Sequence, residues 1–162
     1  MNHTITVGIS DLNTAQDGDI LVTHALGSCI GICLYDGSCR VAGLSHILLP
    51  SSAGFHPDGK QLYKFADTAI LLLVEAMERA GAKRTVMNAK IAGGAQMFAA
   101  INNSGLANIG QRNILAVRQE LQRLRIPILV EDTGKNYGRT QYFSSADGLM
   151  RITSVNRGEW IY

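Results

Sequence analysis

Residues 25–50 read ALGSCIGICLYDGSCRVAGLSHILLP, two apolar, β-forming runs meeting at Asp36-Gly37. Asp-Gly between such runs is a strong hairpin signal, because a type I′ turn needs positive φ at both central residues. With a two-residue turn, Tyr35 lies opposite Ser38 and Cys29 opposite Leu44. Side chains alternate faces along a strand. Cys29, Gly31, Cys33 and Tyr35 then share a face with Arg40, Ala42, Leu44 and His46, while Ile30, Ile32, Leu34 and Val41 form the opposite, core side. Cys39 falls on that apolar side, where a small buried hydrophobe is expected.

This register sets His46 diagonally from Cys29. Diagonal neighbours across an antiparallel pair have Cα atoms about 7–8 Å apart, within reach of an imidazole. A thiol is largely protonated at neutral pH, and an adjacent imidazole can take its proton. Gly27 and Gly31 suit the same chemistry, since glycine admits close backbone approach and leaves N–H groups for a developing oxyanion. A packing role for Cys29 stays open on the hairpin alone, because buried free cysteines commonly serve as small hydrophobes.

Metal is disfavoured by the same geometry. Cys29 and Cys33 on one straight strand are roughly 13 Å apart at about 3.3 Å per residue. That distance suits neither a shared zinc ion nor a disulfide. Neither metal nor cofactor is expected. The segment G-S-C-I-G has the form of a nucleophile elbow, but the β-branched run after Cys29 and the early His46 do not fit a strand-to-helix turn.

Working outward, residues 4–9 and 20–23 read as short strands around a polar loop. Residues 50–60 read as a loop. Apolar residues spaced by three and four predict an amphipathic helix over 61–80, stopped by Gly81. Residues 85–91 predict a strand, Gly93-Gly94 a tight turn and 95–101 a short helix. A second long helix is expected over 111–124, with Ile114, Leu115, Val117, Leu121 and Leu124 on its buried side. Residues 128–131, 139–143 and 149–155 complete seven or eight strands. Strands adjacent in sequence favour an α+β fold with mostly antiparallel sheet over a repeated βαβ pattern.

The 162 residues suit one domain spanning 1–162. Fifteen Lys and Arg against thirteen Asp and Glu leave a net charge of +2 with no basic cluster, which argues against nucleic-acid binding. The longest apolar run, 69–74, is far short of the roughly 20 residues of a membrane span, so no membrane insertion is expected. The N-terminus lacks a signal-peptide pattern, and three cysteines argue for reduced thiols. A cytoplasmic location is expected.

The blocks LVTHALGSCIGICLYDG, VAGLSHILLP, AKIAGGAQMF, IGQRN and EDTGKNYGRTQYF, in this order, resemble the chemoreceptor glutamine deamidase family, CheD. The resemblance implies an α/β/β layered sandwich. It also implies hydrolysis of glutamine side-chain amides in the cytoplasmic helices of methyl-accepting chemoreceptors, giving glutamate and ammonia. The family's catalytic cysteine, histidine and threonine fall on Cys29, His46 and Thr23. A CheC-type phosphatase is an implied partner, and a non-catalytic regulator of such a phosphatase is the alternative function. Methylesterase activity would pass through the same thioester. Backbone N–H groups near Gly27, Ser28 and Cys29 are the expected oxyanion donors. Arg112 and Asn113 are expected either to serve the substrate surface or to cap the second helix. The chain departs from the family at Gly134-Lys135, where a Gly-Gly pair is common.

Overall fold

The computed structural model describes residues 2–97 and 108–162. In chain order the strands are β1 (Thr4–Thr6), β2 (Asp11–Ala15), β3 (Ile20–Leu26), β4 (Ile30–Asp36) and β5 (Val41–Ile47). Helix α1 (Ala66–Arg79), β6 (Asn88–Gly93), α2 (Ile109–Arg123), β7 (Ile128–Thr133), β8 (Arg139–Ser144), β9 (Met150–Ser154) and β10 (Gly158–Ile161) follow. Two five-stranded sheets result, in the orders β1-β3-β8-β9-β10 and β2-β5-β4-β6-β7. Only the β1–β3 and β6–β7 pairs are parallel among the described residues.

The second sheet is the middle layer. Ile30, Ile32, Leu34 and Val41 face α1 and α2 and join Ile70, Leu73, Met77 and Val117 in one core. Cys29, Cys33, Tyr35, Ala42 and Leu44 face the first sheet and join Leu21, Leu26, Phe143 and Ile152 in another. The α/β/β sandwich expected from the sequence is the fold. Every residue of β4 and β5 is buried because both faces are covered. Gly43 lets α1 sit close, since a Cβ there would lie 2.6 Å from Met77 Sδ and 2.8 Å from Leu73 Cδ1.

The hairpin turn differs from the two-residue expectation. Asp36 pairs with Val41, so residues 37–40 form the loop, with Arg40 at φ 57°. Leu44 consequently pairs with Cys33 rather than Cys29, a slip of four positions that preserves which residues share a face. Cys39 lies in this loop and is exposed, not buried. The buried Asp36 carboxylate organises the longer turn by accepting hydrogen bonds from Ser38 N–H (2.8 Å), Ser38 O–H (2.6 Å) and Lys83 N–H (2.8 Å). Burial pushes its pKa up, but these donors outweigh that and bring it down to about 2.

Other elements also depart from expectation. The polar loop contains edge strand β2, and β10 adds a strand after the expected last one. The helix expected over 61–80 is a 3₁₀ turn, Gly59–Lys64, followed by α1. The break falls at Phe65, which is extended and buried. A further 3₁₀ turn, Arg84–Val86, replaces the start of the strand expected at 85–91. Leu115 is exposed on α2. Of the short helix expected over 95–101, residues 95–97 are irregular and the remainder lies outside the described residues.

Asp36→Ala strands three donors, and a hydrogen bond to a charged group contributes about 1.5–3 kcal/mol. Urea unfolding at pH 7 is expected to show a loss of about 3 kcal/mol. Since the folded-state pKa lies below 3.8, the carboxylate's ionisation supports folding fully above that value and ceases to as pH falls through 2. A loss below about 0.5 kcal/mol would show that the turn does not depend on this carboxylate.

Candidate functional site

Thr23 and His46 meet between the two sheets, and Cys29 lies on the same side of the second sheet. A bulge in β3 between Thr23 and Leu26, with Ala25 at φ 58°, turns both residues inward and leaves His24 and Ala25 exposed. The Thr23 hydroxyl donates to Val7 O at 2.6 Å and lies 2.6 Å from His46 Nδ1. A hydroxyl has one proton, and a carbonyl only accepts. Nδ1 must therefore carry hydrogen and donate to Thr23. This fixes the tautomer and leaves Nε2 with its lone pair and, among the described residues, no hydrogen-bond partner.

His46 pairs with Gly31 across β5 and β4, and Cys29 stands two residues before Gly31 on the same side. The diagonal relation expected from sequence thus persists from the opposite direction. With the two-residue turn His46 would face residue 27; in the structure it faces residue 31, and Cys29 is two positions from either. Burial pushes the Cys29 thiol up, partly offset by its own backbone N–H, and burial brings His46 down to about 4. The resting pair at neutral pH is therefore thiol and imidazole, not thiolate and imidazolium.

The loop before β4 is held by its carbonyls. Gly27 O accepts from Ala95 N–H (2.9 Å), Ser28 O from Asn113 Nδ2 (3.0 Å) and Cys29 O from Gly94 N–H (2.8 Å). Gly93, at φ 111°, is required here because a Cβ would lie 2.1 Å from Cys29 O. A third loop backs the second: Gly134 N–H donates to Gly93 O and Gln96 N–H to Lys135 O, each at 2.9 Å. Lys135 keeps a glycine-like φ of 64°, so the departure from Gly-Gly leaves the loop in the left-handed region. Among the described residues, the Ser28 and Cys29 amides find no backbone acceptor, whereas Gly27 N–H donates to Ala25 O at 3.0 Å.

Two polar residues at the site escaped the sequence reading in different ways. Gln141, wholly buried opposite Thr23 in β8, donates from Nε2 to Gly31 O at 3.1 Å. Its Oε1 would lie 1.8 Å from a Cβ on Gly31, so the glutamine amide fills the space that a side chain at 31 would take. The period-two burial of Arg139, Gln141 and Phe143 was its only signal. Asn113, left between two roles, is wholly buried and reaches both Ser28 O and Leu48 O (3.1 Å). Arg112 is exposed instead and borders a surface depression of about 610 Å³ with Leu49, Pro50 and Phe55. His3 and His56 lie on the surface, His3 against Asp19. Among the described residues no three His, Cys, Asp or Glu side chains gather as a metal-holding group.

By architecture and site, then, this is an α+β sandwich with a hydroxyl and an imidazole joined between its sheets and a thiol on the imidazole's side of the second sheet. The chain belongs to the CheD family: residues 48–154, about two thirds of it, match the family described as CheD chemotactic sensory transduction. A Caldanaerobacter subterraneus subsp. tengcongensis protein named "Probable chemoreceptor glutamine deamidase CheD" is 46% identical over 154 residues, covering 95% of this chain and 94% of the relative. A Clostridium botulinum protein of the same name is 48% identical over the same shares. Among the described residues no helix is long and apolar enough to cross a membrane.

Two measurements probe the packed site. His46 falls from the ordinary 6.5 to about 4, so the unfolded chain binds its proton more readily. Its neutral burial therefore supports folding fully above pH 6.5, and that support is lost as pH falls toward 4, by about 3 kcal/mol. Urea unfolding of wild type and His46→Gln at pH 7 and 4 is expected to show a smaller acid loss in the variant; equal losses would contradict the depressed value. Gly31→Ala forces Gln141 aside and is expected to cost about 1–3 kcal/mol. Gln141→Ala in the same chain should recover part of that.

Proposed function

We propose that this protein is a cysteine-dependent protein-glutamine deamidase acting on chemoreceptors. The observation that carries the reading is the relay from Val7 O through Thr23 to His46 Nδ1, which leaves Nε2 free to accept a proton from Cys29, the diagonal neighbour of His46. The names of the similar proteins support the choice of substrate.

The chemistry follows from the resting protonation states. As a glutamine side chain enters, His46 Nε2 takes the Cys29 proton while sulfur bonds to the amide carbon, forming a tetrahedral intermediate. The N–H groups of Ser28 and Cys29 supply two donors for its oxyanion. Gly27, its own amide engaged, contributes space: a Cβ there would lie 3.2 Å from Met97 Cγ. The intermediate collapses as its C–N bond breaks and imidazolium returns the proton to nitrogen, which departs as ammonia. His46 then takes a proton from water as that water attacks the thioester. The C–S bond breaks, giving glutamate and restoring the thiol.

Thr23 holds the ring and its tautomer, but a hydroxyl cannot balance imidazolium charge as a carboxylate does. The imidazolium is accordingly a transient species between two proton transfers. In this reading the substrate is the cytoplasmic helical region of a methyl-accepting receptor, the enzyme works in the cytoplasm, and a CheC-type phosphatase is a second partner.

Incubation with receptor cytoplasmic fragments is expected to release ammonia and add about one dalton per converted glutamine. Cys29→Ala should abolish both. Thr23→Val, which frees the imidazole tautomer, should lower kcat roughly 10- to 100-fold. With His46 at about 4 in the free enzyme, the acid limb of kcat/KM should lie near pH 4 rather than 6.5. Full turnover by Cys29→Ala would overturn the mechanism. Phosphatase turnover that responds to this protein while receptor fragments stay unchanged would favour a binding regulator.

A further inference from the structure

The β4–β5 ladder ends one rung before the nucleophile. Its last pair is Ile30 with Ile47, and because hydrogen-bonded pairs alternate along an antiparallel ladder, the next hydrogen-bonded rung would join Ser28 to Leu49. That rung is absent because each partner is drawn elsewhere. Leu49 N–H donates to Lys64 O and Leu49 O accepts from Ala66 N–H, each at 3.0 Å, while Cys29 points the other way, its O accepting from Gly94 N–H beyond β6. Across the opening, Asn113 Nδ2 donates to Ser28 O at 3.0 Å and to Leu48 O at 3.1 Å. Both acceptors are carbonyl oxygens, so only the NH₂ end of the asparagine fits there.

Helix α2 holds that amide in place. Gly110 lies so close to the 94–95 loop that a Cβ would fall 2.6 Å from both Gly94 O and Ala95 O. Ile114 fills the space above Gly94, 2.5 Å from where its Cβ would stand. Asn113 lies between these contacts, with no solvent exposure. Its Oδ1 finds no partner among the described residues.

We propose that Asn113 is a positioning residue for an oxyanion donor: its amide holds Ser28 O in place of the missing Ser28–Leu49 rung, so the strands stay open and the Ser28 N–H faces the substrate instead of the neighbouring strand. This rests on the deamidase reading and gives that reading's Ser28 donor a cause. Asparagine is suited to the task because it supplies two hydrogens on one nitrogen from a short side chain. Aspartate of the same shape supplies none when ionised, and serine supplies one.

The test compares wild type with Asn113→Asp, Asn113→Leu and Asn113→Ser. Circular dichroism selects folded samples, ammonia release from receptor fragments gives kcat and KM, and peptide mass mapping follows alkylation of Cys29 by iodoacetamide. Alkylation is displacement at a saturated carbon and builds no oxyanion, so it reads thiol and imidazole alone. Asp and Leu are expected to lower kcat about 10²- to 10³-fold, the scale of a lost oxyanion donor, with KM within about twofold and Cys29 alkylation within about threefold. Ser should fall between them and wild type.

A parallel fall of alkylation and kcat would mean general collapse of the site and would overturn the proposal, as would unchanged kcat in folded Asp and Leu variants. Should wild type release no ammonia, the deamidase reading fails, and amide hydrogen exchange still decides the placement. A Ser28 amide that exchanges fast in wild type and becomes protected in Asn113→Leu supports the open-rung geometry. Protection already present in wild type refutes it.

Discussion

The hydrogen bond between Thr23 and His46 spans the space between two sheets, and the rest of the site depends on that span. Thr23 belongs to β3 of one sheet and His46 to β5 of the other, so their 2.6 Å contact exists only when the sheets are docked at one separation and one angle. Other polar ties fix the same docking. Gln141 reaches Gly31 O, Tyr35 O–H reaches Ser145 O at 3.0 Å, and Arg139 forms a buried ion pair with Asp132 at 2.9 Å. An apolar sandwich interface tolerates sliding, because hydrophobic attraction has no direction. Directional bonds between otherwise apolar faces remove that freedom.

Much of the fold was legible because side-chain parity along a strand survives an error of even register. The two-residue turn read from Asp36-Gly37 misplaced the pairing by four residues, yet every assignment of a β4 or β5 residue to a face stayed correct. An odd slip would have put His46 among the helices. Even the diagonal with Cys29 persisted, since two residues on either side of a position are equivalent for parity. The hairpin itself was read wrongly for a local reason: Asp36 looked like a turn residue but is a buried acceptor for a segment 47 positions later. That demand is tertiary and leaves no trace in residues 25–50.

The illegible parts of the site share this character. The bulge that turns both Thr23 and Leu26 inward depends on Ala25 adopting a left-handed conformation that alanine does not favour by itself. Gln141 and Gly31 form a matched pair in which one amide occupies the other's missing side chain, a complementarity visible only after two sheets are stacked. Asn113 read as a residue near a helix start because its partners, Ser28 and Leu48, are far away in sequence. Sequence patterns report period and local turns; they do not report which distant carbonyl lacks a donor.

Burial also explains how such a site differs from one with a permanently charged thiolate and imidazolium. Taking a thiolate and an imidazolium out of water is costly, and here no carboxylate partners the ring. Both groups respond in the same sense, the thiol toward its protonated form and the imidazole toward its neutral form. The pair therefore stores no charge while idle. In the deamidase reading, charge separates only when a carbonyl carbon is present to accept the sulfur and the Ser28 and Cys29 amides are present to accept the oxyanion. Reactivity is then a property of the enzyme with its substrate, and the fixed parts of the protein, the loop carbonyls and the Thr23 relay, are those that need no charge to hold their places.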